Sequence, residues 1–253
     1  MTSPARLAAA KEPLAKEPLA KEPRAEAAVL VELFTSQGCS SCPPADELLR
    51  ALDSKLEANI IPLSFHVDYW NYIGWRDPYS SKRWSARQKT YANAISNGRA
   101  YTPQLVVNGA EHAVGSRFEA IKDVVATQLA NSSQVTFVGG FERTNDREII
   151  VRTQALNPHA ASANLMIAVY ENDLQTSVAR GENNGKKLRN DFVVRELQDL
   201  GPLANGTTQH KAAFAIARDW RRENLGVVVF AQDQQSLIVT GAKQFGLLTN
   251  AQQ

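Results

Sequence analysis

Two cysteines, Cys39 and Cys42, stand two serines apart where a β-rich run gives way to a helical pattern, and no other feature limits the fold as tightly. The run before them, Val29 to Phe34, is apolar apart from Glu32. The segment after them, Pro44 to Leu56, carries Ala45, Leu48, Leu49, Leu52 and Leu56 at the spacing of one helix face. The chain has 253 residues and only these 2 cysteines, so they form no disulfide framework of the kind small secreted domains need. Any role for them is local.

The alternation continues downstream. Ile60 to Val67 reads as a buried strand, and Ser81 to Ser96 as a helix ending near Gly98. Gln104 to Val107 reads as a strand turning at Asn108-Gly109 and returning through Val114, and Ser116 with Glu119 forms a capping box for a helix to about Ala130. The order is βαβ, helix, ββα. After about Gln134 the pattern becomes short alternating strands: Val135 to Phe141, Glu148 to Leu156, Leu165 to Tyr170, Phe192 to Leu197, Lys211 to Ala217, Val227 to Phe230 and Ile238 to Thr240. We therefore expect an α/β unit over 28–133 followed by a smaller antiparallel, sandwich-like β domain over 134–253.

Residues 1–27 differ from the rest. AKEPL, AKEPL and AKEPR follow one another from Ala10 to Arg24, and Pro13, Pro18 and Pro23 prevent a continuous helix. With so little apolar surface to offset ordering entropy, this stretch reads as a disordered linker or leader. Leu7 to Ala10 is too short for the apolar stretch of an export signal, so the visible N-terminus points to the cytoplasm. A formal net charge of +2 argues against a nucleic-acid binder, and the composition contains no membrane span.

Over residues 28–131 the sequence resembles the thioredoxin superfamily: a strand leads into CSSCP at a helix start, and Thr102-Pro103 opens the third strand. More closely, VELFTSQGCSSCPPADELL, FHVDYW, YTPQLVVNG and RGENNGKKL are similar to a bacterial family known only as domain of unknown function 1223. The resemblance implies a thioredoxin-like fold, a cis Pro103 opposite the motif presenting the Thr102 backbone to an extended substrate, and export to the periplasm or beyond. It also suggests Glu32 as the buried acid that takes the resolving thiol's proton. The alternative for Glu32 is a strand glutamate facing solvent or a local cation.

A cysteine at a helix N-terminus lies near free backbone N–H groups and the positive end of the helix dipole, which favour thiolate. Cys39 is therefore the expected nucleophile and Cys42, one turn on, the resolving thiol. Asp46 and Glu47 would oppose ionisation, so a moderate thiol is expected. Residues 69–101 form an insertion with three of the 4 tryptophans and five of the 6 tyrosines. It reads either as a lid or recognition platform at the CSSC end of the sheet or as a small core of its own. His66, Asp68, Tyr69 and Trp70 form its root, and Trp75, Asp77 and Pro78 its tip. RGENNGKKLRND, residues 180–191, reads as a solvated hairpin loop, with Arg180, Glu182, Lys186, Lys187 and Arg189 as candidate contacts to an anionic or peptide partner.

The expected function is thiol–disulfide exchange through Cys39 and Cys42, assisted by Pro103 and Glu32, with Thr102, His66, Asp68, Tyr69, Trp70 and Trp75 against the substrate. That substrate would be a protein or small thiol or disulfide, served by an external reductase or oxidant, and no cofactor is required. Two alternatives remain open: a protein-binding module with CSSC as a structural disulfide, and a copper or zinc carrier using Cys39, Cys42 and His66.

Overall fold

The computed structural model describes residues 28–131, 134–145, 147–157 and 162–246; the linker expected over 1–27 lies outside them. In chain order the elements are β1 (Val29–Thr35), α1 (Pro43–Arg50), α2 (Leu52–Leu56), β2 (Ile60–His66), α3 (Lys82–Ile95), β3 (Gln104–Val107), β4 (Glu111–Val114) and α4 (Phe118–Leu129). They continue with β5 (Thr136–Asn145), β6 (Glu148–Asn157), β7 (Ala163–Glu171), β8 (Leu174–Ser177), β9 (Lys187–Asn190), β10 (Val193–Pro202), β11 (Gly206–Ala215), β12 (Leu225–Asp233) and β13 (Val239–Phe245).

The protein is α/β and built on a mixed eight-stranded sheet in the order β13-β12-β7-β10-β2-β1-β3-β4, with a three-stranded sheet β11-β6-β5 and a two-stranded one, β8-β9. β1 and β2 run parallel, and β3 and β4 add antiparallel beyond β1. The strands expected to form a separate β layer divide instead. β7, β10, β12 and β13 extend the main sheet, joined to it where Val193 of β10 meets Ser64 of β2, and only β5, β6 and β11 make a sheet of their own.

Side-chain alternation assigns the covering layers. Every residue of β1 and β2 is buried, as in strands covered on both faces. Leu30, Phe34, Phe65, Tyr170, Val228 and Phe230 share one face with Trp84 and Tyr91 of α3. On the other face α1, α2 and α4 cover Val31, Leu33, Leu105 and Val107, while the three-stranded sheet packs Val151 and Phe214 on Ile167 and Val229.

Local departures from the sequence reading have local causes. The helix expected over Pro44 to Leu56 breaks at Ala51, whose backbone leaves the helical region and whose N–H closes on Leu48 O. The capping box at Ser116 is not formed: Arg117 is the N-cap of α4, without a side-chain cap bond, and its N–H donates to Val114 O. β8 and β9 have no apolar alternation long enough to announce them; β9 falls inside the segment 180–191 expected to be a solvated loop, and β8 just before it. Among the described residues no helix is long and apolar enough to cross a membrane.

Candidate functional site

The CSSC motif lies where β1 and β2 end, at their C-terminal edge. Beyond Thr35 the chain turns through Cys39 N–H donating to Ser36 O at 3.1 Å and Cys42 N–H donating to Cys39 O at 3.2 Å. Cys42 is the N-cap of α1, and Pro43 and Pro44 follow it. The two cysteines are joined in a disulfide with Cα atoms 5.4 Å apart. Cys39 is 1% exposed and Cys42 0%, while Ser40 and Ser41 between them are exposed.

The amide environment differs from the expectation of free N–H groups. Pro43 and Pro44 have no N–H to offer. The first helical amides, of Ala45 and Asp46, donate to Cys42 O at 2.9 and 3.1 Å, and Ser40 N–H donates to the Glu182 carboxylate at 2.9 Å. Those amides are engaged, and the donor in contact with the sulfur is instead a side chain, Ser41 Oγ, 3.3 Å from Cys39 Sγ.

A strap made of the β8–β9 hairpin and its loop closes the site. Asn183, fully buried, donates from one Nδ2 to both Gln37 O and Cys39 O at 2.9 Å each, and Lys186 Nζ donates to Asn183 Oδ1. Gln37 Nε2 reaches Thr176 Oγ1 at 3.0 Å and Asn190 Oδ1 at 2.9 Å. Segment 180–191 is the largely exposed turn and second strand of a hairpin, as expected, but it is pinned to the motif and to α1 by Glu182, Asn183, Asn190 and Asp191. Asp191 accepts from Arg50 Nε at 2.8 Å and ties the strap to α1. Arg189 flanks it at 3.2 Å, whereas neither Arg180 nor Lys187 makes a bond to the motif.

The aromatic insertion splits by function. Trp84 and Tyr91 of α3 are core. Trp70 covers Gly38, where an added Cβ would lie 3.1 Å from Trp70 Cβ, and its Nε1 donates to Thr102 Oγ1 at 2.7 Å. Trp75 Nε1 donates to Gln37 Oε1 at 3.2 Å. Tyr69 donates to Gln88 Oε1 and is 38% exposed, and its neighbour Tyr72 is 83% exposed. Asp68 is held by Ser85 of α3. The bond before Pro103 is cis. Asp77, expected at the tip of the insertion, folds back under the motif and is 1% exposed: its carboxylate accepts from Gln37 N–H at 2.8 Å and is bonded to His66 Nδ1 at 2.6 Å.

Beneath the motif, ionisable groups are enclosed together. Burial alone would lower the His66 pKa, but the Asp77 carboxylate raises it above its ordinary value; the same contact holds Asp77 below the usual carboxylate range despite its burial. Burial pushes Asp46 up to about 7, against the opposing pull of His66, the Thr35 hydroxyl and Arg50. Thr35 Oγ1, Asp46 Oδ1 and His66 Nε2 are enclosed with no hydrogen-bond partner within 3.5 Å, although the Thr35 hydroxyl is near enough to favour the Asp46 carboxylate. Asp46 is half-buried, with its Oδ1 enclosed beside this set.

Glu32 is not brought to the cysteines. It projects from the sheet face opposite α1, where Arg87 donates to both its oxygens at 2.6 and 2.9 Å and Tyr91 OH donates to one at 2.6 Å. Its partner is the local cation. His66 is likewise no ligand waiting beside the sulfurs: among the described residues no three His, Cys, Asp or Glu side chains gather closely enough to hold a metal ion. Sequence reasoning missed Gln37 and Asn183, whose amides carry no periodicity, and the roles of Asp46 and Asp77, which only the tertiary fold creates.

A family model described as "Protein of unknown function (DUF1223)" matches residues 30–232. Among solved structures, a protein from Agrobacterium tumefaciens is 29% identical, with a TM-score of 0.69 over 89% of this chain and 96% of that one. HBP35 of Porphyromonas gingivalis shares the fold at 15% identity, with a TM-score of 0.68 over 90% of this chain and 78% of that one. No curated protein matches.

Proposed function

This chain belongs to the DUF1223 family of proteins of unknown function, and we propose that its CSSC motif is a redox-active pair: a thiol–disulfide oxidoreductase site on a thioredoxin-like unit, residues 28–133, with 134–253 supplying the strap. The observation that carries this reading is a disulfide between Cys39 and Cys42 at the C-terminal edge of a parallel β1–α1–β2 unit, with enclosed ionisable groups directly behind it. A staple has no need of such groups, which cost stability to bury. The order β2-β1-β3-β4 with helices on both faces supports the thioredoxin-like assignment.

In the reductive direction the thiolate of Cys39 attacks one sulfur of a substrate disulfide, and the other leaves with the bonding pair. Cys42 then attacks Cys39 Sγ, the mixed disulfide breaks, the substrate is reduced by two electrons and the pair is oxidised. An external thiol or reductase restores the dithiol. Trp70 lies against Gly38 and holds Thr102, and Trp75 is bonded to Gln37, so both indoles stand next to the segment that leads into Cys39; with Tyr69 and Pro103 they are the residues we assign to the substrate.

The second reading, a protein-binding module stapled by CSSC, is favoured by one observation: Cys39 is 1% exposed. A redox titration against glutathione together with cysteine variants separates the two. Exchange requires that Cys39→Ser abolish reduction of a disulfide substrate such as insulin and that Cys42→Ser accumulate a mixed disulfide. Wild-type behaviour in both variants, or a pair that glutathione cannot reduce at any ratio, leaves the staple.

A further inference from the structure

At the end of the sheet where β1 begins, opposite the end that carries the cysteines, a cleft of about 340 Å³ opens between the Asn108-Gly109 turn, the end of α4 and the start of β13. The 7 residues of β1 separate it from the motif by about 20 Å. Its volume is that of a small-ligand site. Four carboxamides line it, those of Asn108, Gln128, Asn131 and Gln134. Ala110 and Ile238 add aliphatic wall, and none of the described side chains lining it is ionisable.

Two of these amides are fixed and only half used. Asn108, 9% exposed, accepts the Leu30 N–H through Oδ1 at 2.9 Å, and Gln128, 6% exposed, donates from Nε2 to the Glu111 carboxylate at 2.9 Å. A backbone N–H only donates and an ionised carboxylate only accepts, so neither amide can be turned round. What remains is Asn108 Nδ2 as a donor and Gln128 Oε1 as an acceptor, neither with a partner among the described residues. Buried polar groups are seldom left unpaired. The Thr240 hydroxyl, on a residue of the same wall, is enclosed and unpartnered as well. The backbone around them is set: Val239 N–H donates to Asn108 O at 2.8 Å, and the N–H groups of Gln134 and Val135 both donate to Thr240 O.

We propose that this cleft is a second binding site, for an uncharged, extended segment of a partner polypeptide, and that it works independently of the cysteine chemistry. A peptide unit presents one C=O and one N–H, the complement of the free Asn108 donor and the free Gln128 acceptor. Asn131 and Gln134, both exposed, offer the same kind of contact at the rim. Charged chain ends would lose hydration here with no opposite charge to meet them, so the cleft suits the interior of a long chain and not a short free peptide. A saccharide also carries donors and acceptors, but no aromatic ring lines the cleft for it to stack on.

The test records nitrogen–proton correlation spectra of the isotope-labelled full chain while N-acetyl-dialanine N-methylamide is added. The Asn108 side-chain amide and the Thr240 and Gly241 signals should shift and saturate, with a Kd on the order of 1 mM for so small a ligand, while Cys39 and Cys42 stay unmoved. Trialanine with free termini, and glucose, should each bind at least about tenfold more weakly. Asn108→Asp keeps the acceptor for Leu30 N–H, tolerates the left-handed backbone at φ +46° and replaces the free donor with a charged oxygen. It should weaken binding of the capped peptide by at least about tenfold. Gln128→Met leaves the turn intact and should weaken binding likewise; it decides the matter if Asn108→Asp does not fold. Shifts that never saturate, equal binding of glucose or of the charged tripeptide, or wild-type affinity in both variants overturns the proposal.

Discussion

Asp46 and His66 give the stability of the folded protein a definite pH dependence. A carboxyl held near 7 in the fold, against an ordinary value near 3.8, binds its proton more tightly folded than unfolded. It therefore contributes stability below pH 4, and that contribution is lost as pH rises through about 7. His66, raised above 6.5 by Asp77, acts in the same direction: its contribution is full below its unfolded value and is lost as pH climbs through the folded one. Asp77 opposes them only under acid conditions, because its lowered pKa matters below about pH 4. Unfolding of the oxidised protein followed from pH 5 to 8 should show a falling midpoint. Asp46→Asn should flatten the slope and exceed wild type by about 2 kcal/mol at pH 8, discounted for the residue's partial exposure; an unchanged slope would show Asp46 fully solvated. At this scale the sequence was only partly legible. The cysteines declare themselves by spacing, and Glu32 by its strand, but whether a carboxylate points at a sulfur or at Arg87 depends on which sheet face its position occupies, and that is a property of register.

The strap is the element that decides access. Asn183 bridges two backbone carbonyls flanking the motif, Glu182 holds Ser40 N–H, and Gly181, with φ +75°, brings the chain against Trp75, where a Cβ would lie 3.2 Å from the indole's own. Removing the Asn183 amide deletes its two bonds to the motif backbone, worth about 1 kcal/mol each, and the one it accepts from Lys186, and should populate the open strap about tenfold or more. Asn183→Ala should accordingly speed reduction of the disulfide by a phosphine by about tenfold, read by alkylation of freed thiols, with Glu182→Gln giving a smaller rise. An Asn183→Ala rate equal to wild type would mean that something other than the strap shields Cys39. Helices and long strands were readable in advance because burial imposes a period on them. β8 and β9 were not, since their residues satisfy one another and the motif through amides and hydroxyls, which leave no periodic trace.

Across the whole molecule, one sheet carries strands from both sides of residue 134, and the cluster around α3 draws equally on both: Phe34, Phe65 and Trp84 from before it, Tyr170, Val228 and Phe230 from after. The Glu32 network repeats this connection in polar form. Arg87 of α3 donates to Glu32 of β1 and to Gln232 of β12, and Gln232 Nε2 donates to Tyr91 OH at 2.7 Å. Arg87 is held firmly protonated by Glu32, and the Tyr91 hydroxyl is raised by burial. Removing one partner of such a buried pair costs about 3 kcal/mol or more, because the other charge remains desolvated. Arg87→Met should therefore lower the urea midpoint strongly, and it should do so in one transition followed alike by tryptophan fluorescence, which reports residues 70–84 and 220, and by far-ultraviolet circular dichroism, which reports the strands. Two separated transitions would mean that the halves fold independently and that the junction at Val193 and Ser64 transmits little. A single one makes the strap and the motif parts of one cooperative body, so that losses in the distant β12–β13 region also loosen the cover over Cys39.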